Sequence, residues 1–107
     1  MSTKKKNIAI LGSTGSIGTQ ALDVIKANPG HFCCEVLVAN GNADLLIRQA
    51  IEHQPNSVVI ADESKYKQVK DALVPHDIKV FAGAGSVEQI VEMETVDMVL
   101  AAMVGFA

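Results

Sequence analysis

Short apolar runs, rich in β-branched residues, alternate along the chain with longer stretches whose apolar residues recur at helical spacing. The short runs predict strands at Asn7–Leu11, Glu35–Ala39, Ser57–Ala61, Lys79–Ala82 and Asp97–Ala102. The longer stretches predict helices at Ser16–Asn28, Asp44–His53, Lys65–Leu73 and from Ser86 to about Met93. Strands that alternate with helices favour a mostly parallel sheet covered on both faces. The pattern therefore predicts one Rossmann-like, doubly wound α/β domain.

Residues that break or cap helices set the predicted boundaries. Breaks follow the first three helices, at Asn28-Pro29-Gly30, Pro55-Asn56 and Pro75. Asp62 or Ser64 is suited to cap the third helix. Ser86 and Gln89 have the spacing of a capping box, which predicts that the fourth helix begins at Ser86. The helical residues expected at the core are Ile17, Ala21, Leu22, Val24, Ile25, Leu45, Leu46, Ala50, Ile51, Val69, Ala72 and Leu73.

The loop after the first strand carries the clearest chemical signal. It reads Gly12-Ser13-Thr14-Gly15-Ser16-Ile17-Gly18 and leads directly into the first helix, as a variant of the dinucleotide-binding glycine motif. Gly12 permits a sharp turn, Gly15 lets a pyrophosphate approach the backbone, and Gly18 lets the helix lie close to the sheet. The first-turn N–H groups favour phosphate, and Thr14 and Ser16 can add hydroxyl donors. Glycines also occur in turns for purely structural reasons. The strand before this motif and the helix after it favour the interpretation as a dinucleotide-binding turn.

The tip of the second strand is informative because an acidic residue there, about 20 residues past the motif, would bind the ribose of NAD. Here Ala39-Asn40-Gly41-Asn42 carries no carboxylate, and Glu35 lies at the opposite end of the strand. This absence permits NADP, whose 2′-phosphate a carboxylate would repel, but Arg48 lies too far along the helix to select it. Asn40 and Asn42 can donate amide hydrogen bonds. Alternatively, Asn42 only caps the second helix.

Composition and charge narrow the class of protein. The 107 residues are 49% hydrophobic and 20% charged, with a net charge of −3, as in a globular domain. Mild acidity argues against a nucleic-acid partner, and Lys4-Lys5-Lys6 is interpreted as a solvated lead-in to the first strand. The sequence shows no segment typical of a membrane span or a signal peptide. We therefore expect a cytoplasmic protein without a membrane partner.

Titratable and nucleophilic residues form no catalytic or metal-ligating set in the sequence. Cys33 and Cys34 are adjacent, which suits neither a disulfide framework nor a zinc site, so we interpret them as packing residues. His31, His53 and His76 fall in three separate segments and are expected at the surface.

The apolar ending Met103-Val104-Gly105-Phe106-Ala107 is typical of an excised domain, here residues 1–107. A small stand-alone binding protein is the alternative.

Several segments together resemble the start of 1-deoxy-D-xylulose 5-phosphate reductoisomerases. These are Ile10 to Gly18, Leu22-Asp23-Val24, Pro29 and Phe32, Asn42, and Val99-Leu100-Ala101-Ala102-Met103-Val104-Gly105. The resemblance implies NADPH as cofactor and the conversion of 1-deoxy-D-xylulose 5-phosphate to 2-C-methyl-D-erythritol 4-phosphate in non-mevalonate isoprenoid biosynthesis. It also implies Mg²⁺ or Mn²⁺, held by residues outside this chain, and a homodimer when the protein is full length. The chain alone is then expected to bind cofactor but not to turn over the sugar-phosphate substrate.

The same resemblance assigns residues to parts of the cofactor. It implies that Thr14, Gly15, Ser16 and Ile17 hold its phosphates. It further implies that Asn40, Gly41 and Asn42 hold the adenosine ribose and its phosphate, and that residues near Ala101 and Ala102 approach the nicotinamide. This chain departs from the family because Gly41 stands where a basic or polar side chain is common. No catalytic or metal-binding residue is assigned within the chain.

Two alternatives remain open at this point. The first is the cofactor domain of a semialdehyde-type NADP dehydrogenase, because those enzymes share related glycine-threonine-glycine motifs. The second is a small nucleotide-binding module that is not an enzyme. A longer sequence would separate the two enzymes, and tight binding by the isolated chain would favour the module.

Overall fold

A computed structural model describes residues 5–102, with the side chains of Ala84 and Val91 excepted. The strands are β1 (Lys6–Leu11), β2 (Phe32–Ala39), β3 (Ser57–Ile60), β4 (Lys79–Ala82) and β5 (Met98–Ala101). The helices are α1 (Ser16–Ala27), α2 (Ala43–His53), α3 (Tyr66–Leu73) and α4 (Ala84–Val91). Short 3₁₀ turns at Glu63–Lys65 and Val74–His76 flank α3.

All the pairings in the sheet are parallel, and the strand order is β4-β3-β2-β1-β5. From β1 the chain steps outward through β2 and β3 to β4, and then returns across the sheet to place β5 on the other side of β1. The order therefore reverses between β1 and β5, and ligands of open α/β sheets bind at such a switch point. The predicted Rossmann-like, doubly wound fold is confirmed.

The two faces of the sheet bury separate apolar clusters, as alternation along each strand requires. Side chains from α1, α2 and α3 pack with one face; examples are Leu22, Leu46 and Leu73. Val87 and Ile90 of α4 pack with the other face. Helices cover both faces because the return from β4 to β5 runs on the opposite side from the outward crossovers.

Strand β2 begins earlier than predicted, at Phe32, and contains both cysteines. Its register with β1 shifts between Ile8 and Ala9, so that Glu35 has no direct partner in the pairing. This bulge brings Cys34 and Leu37 into the same apolar cluster. The expectation that the cysteines pack at the start of a strand holds best for Cys34, which is buried, whereas Cys33 is half-buried.

The predicted start of α4 is wrong. The helix begins at Ala84 after Gly83, whose φ of 95° places it in a region that suits glycine. Ser86 lies inside the first turn, and its hydroxyl donates to the Ala82 carbonyl at 2.9 Å and caps no N–H group. Spacing alone suggested a capping box, but the turn from β4 fixes the boundary instead.

Several residues predicted at the core are exposed. The exposed fractions are 51% for Ile17, 54% for Val24 and 40% for Ile51. Each lies at the border of the apolar stripe of its helix, where sequence periodicity places the burial boundary poorly. The other predicted helical core residues are buried or half-buried.

The apolar ending, Met103–Ala107, lies outside the described residues.

Within residues 5–102, no helix is both long and apolar enough to cross a bilayer.

Candidate nucleotide-binding site

The glycine turn begins where β1 ends, at the carboxyl edge of the sheet. Gly12 has a φ of 90°, a conformation that favours glycine, as the sequence predicted. The N–H groups of Gly12 and Ser13 both donate to the carbonyl of Val38 in β2, at 2.7 and 3.0 Å. The turn is therefore attached to the neighbouring strand before the chain enters α1.

Gly18 allows α1 to start directly on this turn. A Cβ at Gly18 would lie 2.2 Å from the Gly12 carbonyl oxygen and 2.7 Å from the Ser13 Cα. Real side chains do not occupy such positions, and both neighbours are backbone atoms with little freedom to move. The sequence predicted close packing of α1 on the sheet, and the structure shows that the tightest contact is with the glycine turn itself.

Gly15 lies on the open side of the same turn. A Cβ there would have only the Gly12 carbonyl oxygen nearby, at 3.6 Å, which is an ordinary contact. Gly15 is also the N-cap of α1, and no side chain caps the helix. Among the described residues, the first-turn N–H groups of α1 therefore have no capping acceptor. They form a free donor surface of the kind that binds phosphate.

A buried contact from α2 supports the turn. The Gln49 side chain donates from Nε2 to the Ser13 carbonyl oxygen at 2.8 Å. Ser13 is fully buried, and Gln49 is 6% exposed. Within residues 5–102, Ser13 Oγ and Gln49 Oε1 have no hydrogen-bond partner. Gln49 is not among the residues predicted from the sequence, because it occupies a helix position where a core residue would be expected.

The second predicted segment, Asn40–Asn42, lies at the carboxyl end of β2, beside the glycine turn at the end of β1. Asn42 Oδ1 accepts from the Leu45 N–H at 3.3 Å, so Asn42 caps α2 as the alternative interpretation proposed. Asn40 is exposed, and its carbonyl accepts from the Asp62 N–H at 2.8 Å. The parallel pairing of β1 and β2 thus places both predicted segments at one edge of the sheet.

Residues Ala101 and Ala102 lie on the other side of the glycine turn, at the end of β5. Ala101 pairs with Leu11, and the Ala102 N–H donates to the Leu11 carbonyl at 2.7 Å. The turn therefore lies between the tip of β2 and the tip of β5. An extended ligand bound to the turn can reach toward both strand tips.

Asp62 is a second residue that sequence reasoning missed at this edge. It follows β3, and its carboxylate oxygen Oδ2 lies 3.8 Å from the Cβ position of Gly41. Hydrogen bonds from the Ser64 hydroxyl and N–H hold the pKa of Asp62 below its usual value. Its position directly after β3 could have indicated that Asp62 lies near the predicted site, because neighbouring parallel strands end at the same edge of the sheet.

The cysteines and histidines form no second centre in the described part of the chain. Burial raises the pKa of Cys34 to about 12, with Cys33 and Glu35 adding to the shift, so the thiol stays protonated and unreactive at neutral pH. No group of three or more His, Cys, Asp or Glu residues within 5–102 is arranged to hold a metal ion. His31 and His76 are exposed and His53 is half-buried.

Two open clefts lie away from the glycine turn. One, of about 350 Å³, is lined by residues at the amino ends of β2, β3 and β4. The other, of about 540 Å³, follows the outer edge of β4 beside α3. Neither includes a residue of Gly12–Gly18 or Asn40–Asn42. Within the glycine turn itself, Gly15, Ser16 and Ile17 are exposed, whereas Gly12, Ser13 and Gly18 are buried.

A parallel sheet of this order, with a glycine turn at its switch point, defines a Rossmann-like domain of the class that binds nucleotides. The sequence model described as 1-deoxy-D-xylulose 5-phosphate reductoisomerase matches residues 8–107. The chain therefore belongs to the 1-deoxy-D-xylulose 5-phosphate reductoisomerase family. This result does not favour the semialdehyde-dehydrogenase or small-module alternative.

Curated relatives carry the same description. The protein from Bacteroides thetaiotaomicron is 60% identical over 104 residues, which are 97% of this chain and 27% of the relative. The protein from Phocaeicola vulgatus is 55% identical over 103 residues, again 27% of the relative. The chain thus spans about a quarter of the length of these relatives.

Solved structures agree with the sequence comparison. The reductoisomerase from Zymomonas mobilis, solved in complex with NADPH, matches with a TM-score of 0.89 and 33% identity, over 95% of this chain and 27% of that one. A DOX-P reductoisomerase in complex with NADPH, fosmidomycin and magnesium matches with a TM-score of 0.87 and 30% identity, over 94% of this chain and 25% of that one.

Proposed function

We propose that this chain, residues 1–107, is the NADPH-binding domain of a longer reductoisomerase. That enzyme would convert 1-deoxy-D-xylulose 5-phosphate to 2-C-methyl-D-erythritol 4-phosphate in non-mevalonate isoprenoid biosynthesis. The observation that carries the proposal is the glycine turn, whose uncapped helix start faces outward at the switch point of the sheet. Family membership and the NADPH in the Zymomonas mobilis structure support it.

The residues of the turn suit a pyrophosphate. Thr14, Gly15, Ser16 and Ile17 would hold the cofactor phosphates through first-turn N–H groups and hydroxyls. The absence of a side chain at Gly15 leaves the space that a phosphate needs close to the backbone.

The strand tips on either side of the turn suit the two ends of the cofactor. At the tip of β2, Asn40, Gly41 and Asn42 would hold the adenosine ribose and its phosphate. The nicotinamide would lie toward Ala101 and Ala102 at the tip of β5. When bound, NADPH supplies the hydride for the reduction.

The remaining functions belong to the longer protein. We propose that the Mg²⁺ or Mn²⁺ site and the sugar-phosphate site lie outside this chain, as the resemblance to the family implies. The magnesium and fosmidomycin present in a related structure support a metal and a second small-molecule site in the family's longer chains. The homodimer and the cytoplasmic location that the sequence suggested stay predictions for that protein.

Binding is tested by thermal unfolding of this chain with and without NADPH. A ligand that binds only the folded state stabilises it by about 2.7 kcal/mol at roughly 100 times its dissociation constant. In a domain of this size that raises the melting temperature by roughly 10 °C or more. Gly15→Ala should fold, because its Cβ would make only an ordinary contact, 3.6 Å from the Gly12 carbonyl oxygen. It should bind NADPH about 10- to 100-fold more weakly, because the added methyl group overpacks against the phosphates. No shift with the unaltered chain, or an equal shift with Gly15→Ala, contradicts the proposal.

Turnover is tested separately. Purified chain, NADPH, the sugar phosphate and Mg²⁺ or Mn²⁺ should give no oxidation of NADPH, measured by absorbance. Metal-dependent oxidation would show that the chain contains catalytic groups and would overturn its assignment as a cofactor domain alone.

A further inference from the structure

Three elements hold Ser13 of the glycine turn, which is fully buried. Its N–H donates to the Val38 carbonyl of β2 at 3.0 Å, and its carbonyl accepts from Gln49 Nε2 of α2 at 2.8 Å. A Cβ at Gly18 would lie 2.8 Å from the carbonyl carbon of Ser13, so α1 packs against the same group. Contacts with β2 and α1 therefore fix the position of Ser13, and the bond from Gln49 fixes the direction of its carbonyl.

Gln49 provides the donor that this buried carbonyl requires. Within residues 5–102, no backbone N–H donates to the Ser13 carbonyl. A buried carbonyl without a donor is unfavourable, so without Gln49 the peptide would turn toward water or toward another donor. The side chain of Gln49 is thus what keeps the peptide between Ser13 and Thr14 in one orientation.

Packing alone does not require a glutamine at this position of α2. Leu46 and Ala50, on the same side of the helix, are apolar and fully buried. In the part of the chain that the structure describes, Gln49 Oε1 has no hydrogen-bond partner, and burying an unpaired amide oxygen lowers stability. An apolar side chain would avoid that loss, so the contact with the turn is what the amide contributes.

The orientation of the same peptide decides where the Thr14 N–H points. Every peptide bond in the described residues is trans, and a trans peptide directs its N–H opposite to its carbonyl. Because the Ser13 carbonyl points to Gln49, the Thr14 N–H points away from α2. Within residues 5–102 this N–H donates to no backbone carbonyl. It therefore adds to the donors at the start of α1, next to the exposed Gly15.

We propose that Gln49 is a positioning residue for the cofactor phosphates. It acts through Ser13 and holds the peptide in the orientation that presents the Thr14 N–H to the pyrophosphate. When that N–H donates to a phosphate oxygen, the Ser13 carbonyl becomes a stronger acceptor for Gln49, because hydrogen bonds in a chain polarise one another. The inference rests on the proposed NADPH site and adds to it a residue that does not touch the cofactor.

The first test measures the dissociation constant of NADPH by calorimetry for the unaltered chain and for Gln49→Met. Methionine keeps an unbranched side chain of similar length but lacks the donor. We expect Gln49→Met to bind NADPH about three- to tenfold more weakly, as for the loss of one well-aligned hydrogen bond. The matched control is Leu46→Val, which removes a buried methylene from the same side of α2. It should lower the melting temperature and leave the dissociation constant within about twofold.

The second test needs no variant and follows side-chain amide signals of the ¹⁵N-labelled chain by NMR. Saturating NADPH should shift the Gln49 Nε2 signals, although the side chain is buried away from the ligand, because the bond to Ser13 strengthens. Gln54 provides the control, because it follows the same helix and donates to the Ile51 carbonyl at 2.7 Å. Its Nε2 signals should not move.

The outcomes separate this inference from the cofactor site itself. Three results overturn it while the NADPH site stands: unchanged affinity in Gln49→Met, an equal loss of affinity in Leu46→Val, or Gln49 signals that do not move at saturating NADPH. If Gln49→Met does not fold, the NMR result alone decides. No binding of NADPH to the unaltered chain overturns the proposed function and this inference together.

Discussion

Among single residues, Gly18 shows most directly how the glycine turn depends on the absence of a side chain. We expect Gly18→Ala to destabilise the fold by about 2 kcal/mol or more, because its Cβ would overlap backbone atoms of Gly12 and Ser13. Alanine favours a helix over glycine by about 1 kcal/mol, which the overlap outweighs. Urea unfolding measures the difference.

The matched control is Gly30→Ala. A Cβ at Gly30 would meet nothing within 4 Å, and its φ is not positive. This variant should stay within about 0.5 kcal/mol of the unaltered chain. Equal losses in the two variants would show that glycine is not specifically required at the start of α1.

Single residues of the candidate site differ in how far the sequence predicts their structural role. Gly12 and Gly18 were predictable because each has its own steric reason within one short motif. Gln49 was not, because its importance comes from the buried carbonyl of Ser13, which the fold brings to it. Periodicity identifies the buried side of a helix but not which backbone group a buried amide meets.

At the level of elements, strands and helices followed the hydrophobic pattern closely, and the differences occur at their ends. The start of α4 depends on the backbone at Gly83, and β2 begins at Phe32, where its pairing with Lys6 of β1 begins. Both are properties of tertiary pairing, which local spacing does not encode. Helix α2 was placed well because Asn42 is a cap whose side-chain chemistry acts locally.

Asn42 allows stability and binding to be separated. Asn42→Ala should destabilise the chain by about 1 kcal/mol, because α2 loses its N-cap. Asn42→Asp keeps the capping oxygen, so its stability should stay within about 0.5 kcal/mol. If the loop also holds the 2′-phosphate, the new carboxylate should weaken NADPH binding several-fold by repulsion.

Thermal unfolding and a cofactor titration of both Asn42 variants provide the measurements. An Asn42→Asp variant that binds NADPH as tightly as the unaltered chain would restrict Asn42 to its structural role. The glycine turn would then have to provide the binding without this residue.

For the whole molecule, the strand order decides which residues share the candidate site. Parallel strands end at one edge, so the turn after β1, the loop after β2 and the end of β5 lie together although they are distant in sequence. The alternating pattern predicted such an edge. It did not predict that Asp62 lies beside Gly41, because only the hydrogen bonds between the ends of β2 and β3 place it there.

An NMR titration of the ¹⁵N-labelled chain with NADPH tests whether the uncapped start of α1 binds the cofactor pyrophosphate. We expect the largest amide shifts on Gly12–Gly18, with a second group on Asn40–Asn42 and smaller changes at Ala101 and Ala102. Residues that line the cleft at the amino ends of the strands, such as Glu35 and His76, should not shift. Shifts confined to that cleft, or none at saturating NADPH, would contradict the claim.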